Sequence, residues 1–158
     1  MKILNEKKLY IGGLLFLQCV SLFSVDKQES LYDIIKNQKY SITKKKNLIS
    51  DYLKTHQTAI NDKDLDGKTP LNCATEYNVD PTIIKFLLDK GADVNQPDLF
   101  NETPLHYAVA HEELVTMRML LQAGALQDFK NDGLQTPLDL ARQSPEAFRI
   151  IDKFSKAA

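Results

Sequence analysis

Apolar residues recur at helical spacing in two stretches of the chain, and a glycine closes each stretch. Residues 83–88 precede Gly91, and residues 114–121 precede Gly124. A glycine after such a run is typical of a helix that ends in the left-handed backbone conformation. The pattern therefore predicts two amphipathic helices with the same kind of C-terminus.

A second signal marks where helices begin. Thr69, Thr103 and Thr136 are each followed by proline. The threonine hydroxyl caps an unpaired backbone N–H, and proline at the first helical position has no N–H to lose. Asp80 and Ser144 also precede proline and predict further helix starts. The chain is thus expected to consist of units, each with a short helix that begins at a Thr-Pro pair, a turn, a longer helix that ends at a glycine, and an extended polar loop.

These signals recur with a common period. The steps between successive Thr-Pro pairs are 34 and 33 residues, and the step between the two glycines is 33 residues. A small residue follows each threonine at the same distance, as close helix packing requires: Ala74, Ala108 and Ala141. Two independent markers with one period indicate a repeat architecture.

The repeating unit resembles the ankyrin repeat. Residues 103–108 (Thr-Pro-Leu-His-Tyr-Ala) and residues 91–95 (Gly-Ala-Asp-Val-Asn) match the family motif nearly in full, and the match covers roughly residues 61–143. The resemblance implies an all-α fold, an ankyrin-repeat solenoid of about four helix-turn-helix units joined by extended β-turn loops. The implied domain, residues 25–158, divides into a degenerate N-terminal cap repeat (29–63), two repeats (64–97 and 98–130) and a C-terminal cap repeat (131–158).

One position of the motif varies in a way that affects backbone conformation. The residue two places before the threonine is Gly67, Asn101 and Leu134 in successive units. Glycine and asparagine tolerate a positive φ, whereas leucine does not. Because Gly133 is displaced by one residue, the conformation of the third turn stays open.

Both flanks are expected to cap the stack. When Asn61 is placed on Asn95, the apolar residues before the two asparagines coincide, which indicates a degenerate first repeat with a longer link between its helices. The C-terminal helix, about residues 145–155, places Phe148, Ile151 and Phe154 on one face. Such ends are needed because an inner unit would expose apolar surface.

The first 24 residues have the layout of a secretory signal peptide. Three lysines precede an uncharged stretch from residue 9 to residue 25, which is short for a membrane span. We expect an exported protein, periplasmic or secreted. A single-pass anchor through residues 9–25, a lipid attached at Cys19, and a buried cytosolic helix are the alternatives. The resemblance extends to small ankyrin proteins of bacteria, some of them periplasmic and some delivered into host cells.

Composition narrows the classes of partner. The formal charge is −1 and the pI is about 6.3, which argues against a nucleic-acid binder that works through bulk positive charge. The two cysteines, Cys19 and Cys73, cannot form a zinc finger or a disulfide framework. A run of lysines at 44–46, with Lys36 and Lys39, is either a solvated linker or a contact for an acidic partner or lipid headgroups.

No residues form a catalytic constellation in the sequence, and no cofactor or small-molecule substrate is expected. His106 occupies the histidine position of the motif, where the resemblance implies hydrogen bonding between neighbouring units; Asn72 and Asp139 replace it in the flanking units. Cys73 is expected to be a packed thiol. The alternating carboxylates at 62–66 admit calcium, but the loop lacks a calcium-loop glutamate, and turn formation is the simpler interpretation.

The function expected of such a stack is non-catalytic binding of a protein partner on its concave face. The alternatives are an accessory subunit that masks an enzyme and a secreted effector that acts on host proteins. The chain is expected to be a monomer. By resemblance to the family, partner-binding positions lie near the turn and at the end of the first helix: Leu65, Asp66, Lys68, Glu76, Tyr77, Leu99, Phe100, Glu102, Ala110, His111, Asp132, Gln135 and Gln143.

Three of these positions are apolar where solvent would favour polar side chains. Leu65, Leu99 and Phe100 should lie side by side, because they belong to successive turns. An apolar strip with an acidic rim is typical of a binding hot spot. Alternatively, these side chains fold back onto the adjacent turn and contribute to the core.

Overall fold

The fold is known from a computed structural model that describes residues 29–156. Those residues form eight α-helices and one short 3-10 helix, Ala59–Asn61, and no strand. The segment 1–24 lies outside the described residues. The α-helices are α1 (Leu31–Lys36), α2 (Ile42–Thr55), α3 (Pro70–Glu76), α4 (Pro81–Asp89), α5 (Pro104–Ala110), α6 (Leu114–Gln122), α7 (Pro137–Ala141) and α8 (Pro145–Ser155).

The helices form four pairs that stack in two layers. The first helices of the pairs, α1, α3, α5 and α7, contact one another in sequence order, and so do the second helices, α2, α4, α6 and α8. Each pair therefore contacts the next along a single direction. This arrangement confirms the predicted all-α solenoid of about four helix-turn-helix units.

The predicted helix starts are confirmed. The hydroxyl of Thr69 accepts a hydrogen bond from the Asn72 N–H at 3.2 Å, and that of Thr136 accepts from the Asp139 N–H at 3.0 Å. Ser144 caps α8 in the same way, through the N–H of Ala147. Proline follows each of these capping residues. In the first turn of each helix, the cap therefore pairs one backbone N–H group, and the proline removes another because it has none.

The predicted helix ends at Gly91 and Gly124 are also confirmed. Their φ angles are +89° and +91°. The N–H of Ala92 donates to the Leu87 carbonyl at 3.0 Å, and the N–H of Ala125 donates to the Leu120 carbonyl at 3.0 Å. This is the Schellman arrangement, which only a left-handed residue at the glycine position allows.

The hydrophobic core runs without interruption between the two layers. The three motif alanines are fully buried, as close approach of the first helices requires. Ile83, Leu87, Leu105, Met117 and Leu120 are likewise fully buried. Burial of such side chains contributes about 1.5–3 kcal/mol each, which makes this interior the main source of stability.

The N-terminal unit makes the same contacts to the following unit as the repeat after it does. The Asn61 Nδ2 donates to the Gly91 carbonyl at 3.3 Å, and its Oδ1 accepts from the Asp93 N–H at 2.8 Å. Asn95 makes the same two bonds one unit later, to Gly124 at 3.1 Å and Leu126 at 2.9 Å. The alignment of Asn61 on Asn95 is thus confirmed by equivalent contacts.

The lysine run of this unit is not a solvated linker. Lys45 is buried, and its Nζ donates to the Ile35 carbonyl at 2.7 Å, near the C-terminus of α1. Burial lowers the pKa of the Lys45 ammonium. Lys44 lies over the Tyr40 ring at 3.9 Å. Because the run lies on the helix α2, adjacent lysines point in different directions. Lys45 therefore bonds to α1 inside the protein, whereas Lys44 lies over an aromatic ring.

The C-terminal cap differs from the prediction at one residue. Ile151 is fully buried and Phe154 is half-buried, but Phe148 is 37% exposed, and the buried face of α8 is completed by Ala147 and Ile150. In the described part of the chain no later unit covers the side of α8 that carries Phe148. No helix of residues 29–156 combines the length and the apolar character that a membrane crossing needs.

Candidate protein-binding surface

The loops between units are tight turns organised by one polar side chain. The Asp64 Oδ1 accepts hydrogen bonds from the N–H groups of Asp66 at 3.0 Å and Lys68 at 2.9 Å. Asp98 does the same for Phe100 at 2.8 Å and Glu102 at 2.9 Å. A carboxylate that accepts two local N–H bonds favours a turn, which accounts for the acidic spacing without a metal ion.

The third turn keeps this geometry with different residues. Asn131 replaces the aspartate and accepts from the Gln135 N–H at 2.9 Å. The left-handed position, filled by Gly67 at φ +71° and Asn101 at +58°, is filled here by Leu134 at +58°. The displaced Gly133 does not take over that role. A leucine in this region is strained, because its Cβ crowds the following carbonyl.

Backbone hydrogen bonds join successive turns. The N–H of Leu99 donates to the Asp66 carbonyl at 3.1 Å, and the N–H of Asp132 donates to the Phe100 carbonyl at 3.0 Å. The Asn101 Nδ2 adds a bond to the Asp132 carboxylate at 2.7 Å. These bonds hold the three turn tips in line along one edge of the stack.

Four apolar side chains are exposed on that edge. They are Leu65 at 99% exposure, Leu99 at 65%, Phe100 at 59% and Leu134 at 75%; we call them the tip row. Leu99 also lies over the backbone of Gly67, since a Cβ built on that glycine would come within 2.9 Å of the Leu99 Cγ. The Leu99 side chain therefore folds back in part onto the adjacent turn. Most of the tip row faces solvent.

Three of the predicted binding residues are committed to contacts within the chain. Lys68 pairs with Glu76 at 2.5 Å, with only 12% of the lysine side chain exposed. Burial opposes the charge of Lys68, but the hydrogen bond and charge of Glu76 outweigh it and raise the lysine pKa. The Glu102 carboxylate accepts from the Asn131 Nδ2 at 2.8 Å. Their role in partner binding stays a prediction.

The remaining predicted residues are exposed, and they fall on the turn tips and at the ends of the first helices. Tyr77 lies at the C-terminus of α3, where the Lys36 Nζ is 4.8 Å from its ring centroid. Ala110 and Gln143 are at or just beyond the ends of α5 and α7. The exposed set is Asp66, Tyr77, Ala110, His111, Asp132, Gln135 and Gln143, together with the three apolar residues predicted above.

Sequence reasoning missed one side chain of the concave face. Tyr107 donates its hydroxyl to the Asp98 Oδ2 at 2.5 Å, and the Lys68 Nζ lies 5.6 Å from its ring centroid. Burial and this carboxylate raise the pKa of Tyr107. Cys73, one unit earlier, directs its Sγ toward the Asp64 Oδ2 at 3.7 Å. Tyr107 occupies the variable fifth residue of the Thr-Pro-Leu-His-x-Ala motif, and that position was the signal that could have found it.

His106 links its unit to the next. Its Nδ1 accepts from the Thr103 N–H at 3.1 Å, so the proton of the neutral ring lies on Nε2, which donates to the Gln135 carbonyl at 3.2 Å. Burial lowers the pKa of His106, which keeps the ring neutral. Asn72 replaces it one unit earlier and donates to the Glu102 carbonyl at 3.2 Å. The predicted role of the motif histidine is confirmed.

The thiol of Cys73 is protected from reaction. Cys73 is fully buried, and burial raises the pKa of its thiol to about 12. The thiolate, the reactive form, is therefore negligible at neutral pH. Among residues 29–156 no three metal-ligating side chains come close enough together to hold an ion.

Comparison with known proteins agrees with this geometry. A model of the ankyrin repeat family, built from three copies of the repeat, matches residues 31–131 and 77–153. The chain belongs to the ankyrin repeat family. The ankyrin repeat domain of Bcl-3, a member of the IkappaB protein family, superposes with a TM-score of 0.66 at 28% identity, covering 77% of this chain and 50% of that one. Ankyrin repeat domains typically bind proteins and are not catalytic.

Curated relatives share the repeats within much longer chains. The palmitoyltransferase ZDHHC13 of Homo sapiens is 36% identical over 86 residues, 54% of this chain and 14% of that protein. The BRCA1-associated RING domain protein 1 of Caenorhabditis elegans is 36% identical over 98 residues, 61% of this chain and 14% of that protein. The similarity concerns this small fraction of each relative and does not carry over its activity.

Proposed function

We propose that this ankyrin stack is a non-catalytic interaction module that holds a protein partner against its concave face and tip row. The observation that supports it most is the tip row, because four large apolar side chains lie more than half exposed along one edge. An exposed apolar strip of this kind marks a protein interaction site more often than chance. Backbone bonds between turns hold the strip in place before any partner arrives, which reduces the entropic cost of binding.

The charge around the tip row defines the partner further. The three turns, residues 62–68, 96–102 and 128–135, contain seven Asp or Glu residues and three lysines. Asp66 and Asp132 are exposed beside the apolar tips. We infer that the partner surface is apolar with basic residues at its edge, since complementary charge favours both encounter and register.

Affinity capture tests the proposal. The immobilised chain is incubated with a lysate of the producing organism, and in a second arm with a lysate of a host cell. A partner should be retained by the wild type and lost with Phe100→Ala. Phe148→Ala is the matched control, because Phe148 is also exposed but lies on α8, and it should retain the partner. Equal retention by all three proteins contradicts the proposal.

An accessory subunit that masks an enzyme, or an effector that acts on host proteins, would use the same surface. The identity of the captured protein distinguishes them. An enzyme that loses activity when bound indicates the masking role, whereas a partner from the host lysate alone indicates the effector. We propose a monomer, which size-exclusion chromatography with light scattering tests directly.

We also propose that residues 1–24 direct export, or anchor the chain if they are not cleaved. Support comes from the sequence, where lysines precede an uncharged stretch at residues 9–25. The proposed cellular setting is that of a small bacterial ankyrin protein in the periplasm or outside the cell. N-terminal sequencing of the protein recovered from each cell fraction tests this. A start near residue 25 indicates cleavage, and an intact N-terminus in the cytosolic fraction contradicts export.

A further inference from the structure

The second helices carry a regular pattern of charge. The fifth residue after the N-cap is a lysine or an arginine in all four: Lys46, Lys85, Arg118 and Arg149. The helix α2 is five residues longer than α4 at its N-terminus, so Lys46 lies five residues out of the register that the alignment of Asn61 on Asn95 gives. We call Lys85, Arg118 and Arg149 the cationic row. Lys85 and Arg118 are one 33-residue repeat apart, and Arg118 and Arg149 line one groove, so these three lie along the outer face of the stack. The row therefore contributes one cation in each of the last three units, on the face opposite the concave surface.

The cations at the C-terminal end of the row are available to a ligand. Arg118 and Arg149 are exposed, and no carboxylate of residues 29–156 lies within salt-bridge distance of either. Lys85 is paired with Asp89 at 2.8 Å, but this pair is on the surface and two-thirds exposed. An exposed pair of this kind exchanges partners at little cost. The second helices together hold eight Lys or Arg and four Asp or Glu residues.

Apolar floors lie beside the row. The next residue along each helix is Phe86, Met119 or Ile150 in the last three units. An open groove of about 620 Å³ between α6 and α8 has Arg118, Arg149 and Lys153 on its rim and Ile150 in its floor. Among residues 29–156, Glu146 is the one carboxylate that lines it. A second groove of about 460 Å³ extends from Lys46 past Phe86 to Met119.

The spacing of the row matches that of a helical ligand. Packed helices lie about 8–10 Å apart, so successive cations are separated by roughly that distance. Seven residues of an α-helix rise by about 10.5 Å. A carboxylate at every seventh position would therefore meet one cation in each of these three units, and apolar residues on the same face would enter the grooves.

We propose that the outer face of the stack binds an acidic amphipathic helix that lies along the stack, with its carboxylates on the cationic row. The apolar floors favour this ligand over a nucleic acid, whose phosphates are more closely spaced and need no apolar contact. A flat bilayer would touch helix ridges and leave the grooves empty. The site is separate from the tip row, so the two surfaces can hold different segments of one partner.

Fluorescence anisotropy with a synthetic peptide tests the proposal on the full chain. The probe is a labelled helical peptide of about 22 residues with glutamate at every seventh position and leucine on the same face. It should bind saturably, and Arg118→Glu with Arg149→Glu should weaken it about tenfold or more. Arg142→Glu, a reversal of an exposed arginine at the end of α7, should leave affinity unchanged, and so should Phe100→Ala.

Further arms separate the alternatives. A peptide of the same composition with glutamate at every fifth position should bind at least about tenfold more weakly. Equal binding of the two peptides, equal loss with Arg142→Glu, or no saturation up to about 200 μM would overturn the proposal. Binding to phosphatidylserine vesicles that needs Arg118 and Arg149, without peptide binding, would favour a membrane instead. If the double reversal does not fold, Arg118→Gln with Arg149→Gln replaces it.

Discussion

Gly67 lies directly beneath the side chain of Leu99, the residue that follows the organising aspartate of the next turn. A Cβ on Gly67 would come within 2.9 Å of the Leu99 Cγ and 3.0 Å of its backbone nitrogen. The same glycine has φ +71°. One residue thus meets two demands, a left-handed backbone and close contact between neighbouring units.

Gly67→Ala should destabilise the fold more than Gly91→Ala. Both positions have positive φ, which costs about 1 kcal/mol for alanine, but a Cβ at Gly91 meets nothing within 4 Å. The contact with Leu99 should add about 1–2 kcal/mol at Gly67. Urea denaturation of the two variants measures the difference. Equal free energies of unfolding would show that the turn yields to the added methyl group.

Leu134→Asn should stabilise the protein. Leu134 adopts φ +58°, and Asn101 holds the equivalent position at the same φ. Asparagine tolerates this conformation better, and the leucine side chain is 75% exposed, so the gain should be about 0.5–1 kcal/mol. Thermal unfolding provides the measurement. The control is Leu65→Asn, an exposed tip whose φ is not positive; a similar gain there would mean that strain is not the cause.

Stability should fall on acidification because of His106. Its pKa is lowered by burial from the ordinary 6.5, although the Gln135 carbonyl, Glu102 and Asp98 act in the opposite direction. The unfolded chain therefore takes up a proton below about pH 6.5 while the folded chain does not, and the free energy of unfolding decreases as pH falls. His106→Asn should show a smaller decrease between about pH 7 and pH 5, since asparagine does not titrate.

Asparagine is the appropriate replacement because Asn72 already occupies the equivalent position and bonds to the next unit. The measurement is urea denaturation of both proteins across that pH range. Parallel curves would rule out His106 as the titrating group. Carboxylates elsewhere are common to both proteins and cancel in the comparison.

Asn61→Ala and Asn95→Ala should have similar costs. Each asparagine makes two hydrogen bonds to the backbone after the next long helix, and losing them should cost about 1–2 kcal/mol. Asp128, which lies 33 residues beyond Asn95, is exposed. Asp128→Ala is therefore the control and should change little. Thermal unfolding measures all three variants. If Asn61→Ala alone had a negligible cost, the N-terminal unit would not be stabilised by packing against the stack.

Sequence reasoning succeeded where one residue decides the local structure. Thr69 and Thr136 begin helices and Gly91 ends one because capping and left-handed conformation depend on the residue itself. The turn at Leu134 could not be predicted, since a preference of about 1 kcal/mol was overridden by the hydrogen bonds that hold the whole turn. At Leu134 the preference of leucine disfavours a positive φ, whereas the hydrogen bonds of the turn require one.

The candidate surface was predictable as a set of positions but not as a set of contacts. The pairing of Lys68 with Glu76, eight residues apart, depends on how the turn lies against α3. The burial of Lys45 could not be predicted from the sequence, because residues 44–46 are all lysine and only the orientation of α2 determines which of them is buried. The cationic row could be recognised only after the N-caps of the helices were known. The steps between its members are unequal, so a fixed period does not find it in the sequence.

The affinity of the captured partner for Phe100→Ala, measured together with thermal stability, tests the central claim most directly. Phe100 is 59% exposed on a turn tip, so its loss should weaken binding by more than about 1 kcal/mol, roughly a fivefold rise in Kd. The melting temperature should stay within about 2 °C of wild type. Unchanged affinity with a large fall in melting temperature would show that Phe100 belongs to the core and that the tip row is not the docking surface.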